Sequence, residues 1–171
     1  MKKAQRAFRR VMIVLVLVAV GGLVMTRVLD GPGGQVDGYP QEFEALCTRV
    51  IDGDTIVLLN EERVRYIGMD TPEMRPIEPW AVEATEANRE LVERKMVRLV
   101  LDVQERDQYG RLLAYVYVND TFVNAELVRR GLATVVTYPP NVRHEQHFLE
   151  LQREAREAGR GMWSEPGIAA D

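Results

Sequence analysis

Cysteine is nearly missing: the 171 residues contain one, Cys47. No intrachain disulfide is possible, so a packed core has to hold the fold. Beside a strand-like run, Cys47 reads as a small buried hydrophobe and not as a reactive thiol. Positive charge is scarce in the larger part of the chain. Residues 1–36 carry six basic side chains and one acid, Asp30, which leaves 16 Lys+Arg against 25 Asp+Glu in the remainder, a net charge of −9. That balance excludes a general cationic field, the usual footprint of a polymer-binding surface. Any anion site has to be local, built from a few side chains or a metal. Internal repeats are absent. The glycine-rich stretch Gly31-Pro32-Gly33-Gly34 is no phosphate loop, because no strand precedes it and no helix is signalled after it.

The N-terminus also lacks something. Lys2–Arg10 is basic and Val11–Met25 is an unbroken apolar run, yet no small-residue cleavage site and no lipoprotein cysteine follow. The run is short against the ~20 residues needed to span ~30 Å, but Arg9, Arg10 and Arg27 can snorkel and lengthen it. Residues 1–29 are therefore expected to form an uncleaved hydrophobic helix, a signal anchor meeting the membrane through residues 11–29. The positive-inside tendency puts its N-terminus in the cytoplasm and the rest of the chain outside the cell membrane. A secreted product is the expectation if the segment is cleaved. Residues 30–41 read as a Gly/Pro linker, and residues 42–168 as the folded domain.

What is present centres on Arg49–Glu73, RVIDGDTIVLLNEERVRYIGMDTPE. Two strand-like runs, Arg49–Leu59 and Arg63–Met69, flank a polar link. Strand residues alternate faces, so Asp52 and Asp54 are expected to share one, as are Arg63 and Arg65. Antiparallel pairing then gathers Asp54, Arg65, Asp70 and Glu73. Three carboxylates beside an arginine are costly to bury unless further charge joins them. A hard divalent cation with oxygen ligands, next to a phosphate, satisfies both signs.

Further along, Trp80–Arg94 reads as a helix started after Pro79, with Val82, Leu91 and the alanines on its apolar face. Met96–Val103 and Leu112–Val118 read as a second hairpin around Asp107-Gln108-Tyr109-Gly110-Arg111. Val123–Arg130 reads as a short helix stopped by Gly131. A last strand is expected over Leu132–Thr137. Glu145–Ala158 reads as a charged helix with Phe148 and Leu151 inward, and Met162-Trp163 as a hydrophobic tail anchor. His144 and His147 have no cysteine or acid at metal-ligand spacing. Five strands with intervening helices predict an α+β, mainly β domain: a five-stranded barrel with three helices.

Several ordered motifs at fitting separations resemble the thermonuclease family, the staphylococcal or micrococcal nuclease type. They are VIDGDTIVL at 50–58, VRYIGMDTPE at 64–73, DQYGRLLAYVYV at 107–118, VNAELVRRGLA at 123–133 and MWS at 162–164. The resemblance implies an OB-fold barrel with three helices and Ca2+-dependent cleavage of DNA and RNA phosphodiesters to 3′-phosphate and 5′-hydroxyl ends. It implies calcium ligands at Asp54, Asp70 and the Thr71 carbonyl, with Asp52 as a supporting acid. It implies a catalytic Glu73, catalytic arginines Arg65 and Arg111, and Tyr109 near a nucleotide phosphate. Nucleic acid is the expected partner, no protein partner is inferred, and a monomer is expected. Two features depart from the family pattern: the acidic balance of the domain, and the segment after Gly131-Leu132-Ala133, one residue shorter and carrying only Tyr138 where the family has two tyrosines. The rival reading is a non-catalytic OB-type module for single-stranded nucleic acid, which needs a basic groove and stacking aromatics. A calcium-binding surface domain is a third, and leaves the arginine pair without a purpose.

Overall fold

A computed structural model describes residues 40–164; the expected anchor over 1–29 and all but the end of the 30–41 linker lie outside the described residues. Among the described residues no helix is long and apolar enough to cross a membrane.

The β-branched run around Asp52 does not form one strand. Its first two residues, Arg49 and Val50, end β1 (Glu42–Val50), a strand reaching upstream of the expected run. The latter part of the run forms β2 (Thr55–Leu58), and a turn over residues 51–54 joins the two strands. Asp and Gly favour turns over ladders, and here that local preference overrides the β-forming neighbours. The turn is closed by the Ile51 N–H donating to the Thr55 carbonyl at 2.9 Å. β3 (Arg63–Tyr66) then pairs antiparallel to β2, setting Arg65 opposite Thr55. β4 (Met69–Asp70) follows directly. α1 (Ala81–Val92) buries Ala81, Ala84, Ala87, Asn88 and Val92. Val82, expected on its apolar face, is 47% exposed, because the alanines and Asn88 at helical spacing already take the inward stripe. β5 (Met96–Val100) and β6 (Leu112–Val118) form the second hairpin. β7 (Thr121–Phe122) and α2 (Val123–Arg129) follow. The expected strand over Leu132–Thr137 shrinks to β8 (Thr134–Val135), paired with β4. α3 (Glu145–Glu157) and a 3-10 turn (Gly161–Ser164) end the described chain.

The barrel closes because β1 pairs with both β2 and β5, β5 with β6, and β6 with β3. The last pairing is parallel: Val64 lies opposite Leu112, Arg65 opposite Leu113 and Tyr66 opposite Ala114. Closure leaves these five strands without a free edge. The interior holds Ile56, Leu58, Val64, Leu99, Leu112 and Val116, all fully buried, together with Cys47. Burial pushes the Cys47 thiol pKa up to about 11. A second cluster seats α3: Phe148 is fully buried against Ile67, Tyr115 and Ala125, with Leu151 half-buried beside it. His144 packs edge-on against Tyr115 at 4.5 Å between ring centroids. Trp163 and Met162 bury as the expected tail anchor, with the Arg156 guanidinium 4.3 Å from the Trp163 ring.

Candidate active site

The 51–54 turn is pressed against Thr71. A Cβ placed on Gly53 would lie 2.6 Å from Thr71 Oγ1, so only glycine allows the approach. That approach fixes Asp54, which is 5% exposed. Its Oδ2 accepts from the Thr71 N–H at 2.9 Å and from Thr71 Oγ1 at 3.0 Å. Its Oδ1 accepts from Thr55 Oγ1 at 3.2 Å. Hydrogen bonds to a buried carboxylate are the strong kind, and they hold it in one orientation. The turn is braced from behind by α1: fully buried Asn88 donates to the Asp52 carbonyl at 3.0 Å and accepts from Tyr66 Oη at 2.8 Å. Burial raises the Asp52 carboxyl pKa above the ordinary aspartate value, against the opposing pull of Thr55, Arg65 and Arg111.

β3 delivers Arg65 between two acids. Its guanidinium bridges Asp54 and Asp70. Asp54 is buried, while the Asp70 side chain is 47% exposed. The β6 side delivers Arg111. Asp107 Oδ2 accepts from Arg111 Nε at 2.7 Å, and Asp107 Oδ1 accepts from the Arg111 and Tyr109 N–H groups at 2.9 Å each. Burial pulls the Asp107 pKa up, but the bonds from Arg111 and Tyr109 more than offset it and leave it below the ordinary value. Asp107 grips the Nε side of Arg111, and among the described residues its terminal Nη groups make no hydrogen bond.

These groups converge on a pocket of about 120 Å3, lined by Asp52, Asp54, Arg65, Thr71 and Pro72 with Glu73 and Arg111. Six of the eight expected site residues are thus brought to one cavity. Asp70 stands behind Arg65 and outside the lining. Tyr109 is 75% exposed and lines a larger adjoining groove of about 530 Å3 that shares Arg65 and Arg111 with the pocket and includes Tyr138. The Glu73 carboxylate makes no hydrogen bond or ion pair among the described residues. Its loop is closed instead by the backbone: the Glu73 N–H donates to Glu78 Oε2 at 2.8 Å and the Glu78 N–H to the Glu73 carbonyl at 2.9 Å. Asn88, Asp107, Glu78 and the Thr55 and Thr71 hydroxyls were not singled out as site residues from the sequence. Asp107 carried a signal, since an Asp two residues before Tyr109 and four before Arg111 suits an Asx-type turn.

The donor set fits a hard cation. Asp54, Asp70 and the Thr71 carbonyl offer only oxygen, the kind of ligand calcium takes in number and in loose geometry. Among the described residues no three acidic, histidine or cysteine side chains approach one another at ligand spacing, as expected where Arg65 stands between the two aspartates.

A family model described as "Staphylococcal nuclease homologue" matches residues 63–165. The match takes in Arg65, Asp70 to Glu73, Tyr109 and Arg111, and starts after Asp52 and Asp54. The thermonuclease of Staphylococcus intermedius is 36% identical over 141 residues, covering 78% of this chain and 84% of that protein. The thermonuclease of Staphylococcus hyicus is 37% identical over 123 residues, covering 68% and 73%. The endonuclease YncB of Bacillus subtilis is 38% identical over 132 residues, covering 72% and 63%. A closed five-stranded barrel with three helices, matched to nuclease relatives, defines an OB-fold nuclease domain. The chain belongs to the staphylococcal nuclease family.

Proposed function

We propose that the chain is a calcium-dependent nuclease that hydrolyses phosphodiesters of DNA, RNA or both to 3′-phosphate and 5′-hydroxyl ends. One observation carries the reading: Asp54, Arg65, Glu73 and Arg111, from four separate segments, line one small pocket. Asp54, Asp70 and the Thr71 carbonyl would hold the calcium, and Asp52 would support them. When bound there, calcium supplies positive charge beside the phosphate and lowers the cost of the negative charge that builds on it. Arg65 and Arg111 present planar donor forks to the phosphate oxygens. Their bonds strengthen as charge grows toward the transition state, so they accelerate the reaction and do not merely bind. Asp107 orients Arg111 by its Nε and leaves the Nη groups for the phosphate. Glu73, free of side-chain partners, accepts the proton of the attacking water. Tyr109 meets a neighbouring phosphate of the nucleotide. The domain acts as a monomer outside the cell, tethered by residues 11–29.

Plasmid DNA incubated with the full chain, with calcium or with a chelator, tests the reading, and end-group analysis of the fragments tests the products. Degradation that needs calcium is expected. Asp54→Ala and Asp70→Ala are expected to weaken calcium binding, with partial rescue by excess calcium. Arg65→Ala and Arg111→Ala are expected to lose ~10²–10³ in turnover at saturating calcium. A folded, calcium-loaded chain that binds single strands without cutting them would instead be the non-catalytic module.

A further inference from the structure

Three cavities meet at Arg111. Beyond the pocket and the groove, a third of about 510 Å3 lies on the other flank of the Tyr109–Arg111 turn, and Arg63, Glu61 and Glu62 form its far wall. Arg63 and Arg65 occupy alternate positions of β3, so they stand on the same face, about 7 Å apart along the strand. Arg65 is half-buried between its aspartates, whereas Arg63 is exposed.

Of the arginines lining these cavities, Arg65 and Arg111 are paired with carboxylates. Arg63 makes no ion pair among the described residues. Its sequence neighbour Glu62 is already engaged: Arg106 Nη1 donates to Glu62 Oε1 at 2.8 Å and Arg106 Nη2 to Glu62 Oε2 at 3.0 Å. The same Arg106 donates to the Gly110 carbonyl at 2.7 Å, tying the Arg111 turn to the foot of β3. A carboxylate gripped by both ends of a guanidinium has little attraction left for a second one. Glu61, the other acid of the wall, makes no ion pair among the described residues. In a domain with net negative charge, an uncommitted guanidinium in a cavity that opens onto the phosphate-directed pair stands out. Its planar fork suits a phosphate diester.

We propose that Arg63 binds a backbone phosphate of the nucleic-acid strand next to the phosphodiester held by Arg65 and Arg111, making this cavity a subsite for the polymer. This rests on the nuclease reading of the neighbouring pocket. The strand leaves the active site past Tyr109 and Arg111 and is met by Arg63, so local contacts replace the cationic field that the acidic domain lacks.

The test uses the full chain and two substrates, a dinucleotide with one phosphodiester and a long single strand. Arg63→Gln is expected to lower kcat/KM on the long strand about two- to fivefold more than on the dinucleotide, the scale of one exposed charge contact. Arg63→Lys, which keeps the charge, is expected to recover most of that difference. Glu61→Gln is expected to raise kcat/KM on the long strand. Arg153→Gln, on α3 and outside all three cavities, serves as the charge-matched control and is expected to change neither. In parallel, the salt dependence of binding to a fluorescent single strand is measured by anisotropy with chelator present. Arg63→Gln is expected to reduce the log–log slope by about 0.7, the loss of one phosphate contact. Equal losses on both substrates, or an unchanged slope, would overturn the proposal. Wild-type chain that cuts neither substrate would sink the nuclease reading instead, and the anisotropy slope would still decide whether Arg63 meets a phosphate.

Discussion

The brace behind the 51–54 turn can be taken apart one bond at a time. Asn88 is fully buried and joins two groups with few other partners: it donates to the Asp52 carbonyl at 3.0 Å and accepts from Tyr66 Oη at 2.8 Å. Tyr66 is itself 2% exposed, and burial drives its pKa well above the ordinary value, so it stays a donor. Asn88→Ala removes both bonds and strands a buried hydroxyl and a part-buried carbonyl. At ~1–3 kcal/mol for each stranded group, the loss is about 2–6 kcal/mol. Tyr66→Phe removes only the hydroxyl and costs ~1–2 kcal/mol. With Asn88 already replaced, the tyrosine change removes the stranded hydroxyl and is expected to recover ~1–3 kcal/mol. The double-mutant cycle therefore carries a coupling of ~2–5 kcal/mol, measurable by urea unfolding at neutral pH. Activity separates the two arms: Asn88→Ala frees the Asp52 carbonyl and lowers turnover, whereas Tyr66→Phe leaves that bond in place and does not. Coupling below ~0.5 kcal/mol, the ordinary scatter of additivity, would refute the linked arrangement.

Other substitutions probe separate parts of the fold. The Asp107 pKa is lowered in the folded protein, so its contribution to stability is present above the unfolded value of about 3.9 and is lost as pH falls through the lower folded value. Asp107→Asn is thus expected to be less stable than wild type at pH 7, with the gap closing below about pH 4 in urea titrations; a gap constant with pH would contradict the Arg111 pairing. Gly131 has φ +73, and a Cβ there would sit 2.2 Å from the Arg160 carbonyl oxygen. Gly131→Ala is expected to cost at least ~1–2 kcal/mol from the left-handed backbone alone and to loosen Trp163, read by its fluorescence. Cys47, with its pKa near 11 through burial, is expected to resist thiol reagents at pH 8 until urea unfolds the domain.

Much of the site was legible because its residues lie close together in the chain. Asp54, Arg65, Asp70 and Glu73 fall within twenty residues, and strand alternation alone brought them near one another. The helices were legible for a similar reason, since their signals are local. The misreadings also have local causes. Asp52-Gly53-Asp54 sits inside β-branched neighbours, and hydrophobic pattern outvoted turn chemistry until the contact of Gly53 with Thr71 decided it. The alanines of α1 do fill its inward stripe as read, but Val82, grouped with them for its apolar side chain, falls off that stripe and is exposed. Asn88 gave no signal, because a polar residue on a helix is read as solvated unless its partners are known. Its partners, Tyr66 and the Asp52 carbonyl, are 22 and 36 residues away.

The parallel pairing of β3 with β6 bears on when the protein becomes active. It sets Arg65 beside Leu113, two residues beyond Arg111, across nearly fifty residues of intervening chain. Before that pairing the two arginines belong to separate hairpins with nothing to hold them at one phosphate. Bringing distant strands together bears the loop-closure entropy in advance of any contact it gains, and such pairings set the pace of folding in β proteins. The pair of donors is therefore completed only when the barrel shuts. A chain emerging from the ribosome carries every site residue as far as Glu73 and remains harmless to nucleic acid until β6 has arrived and docked.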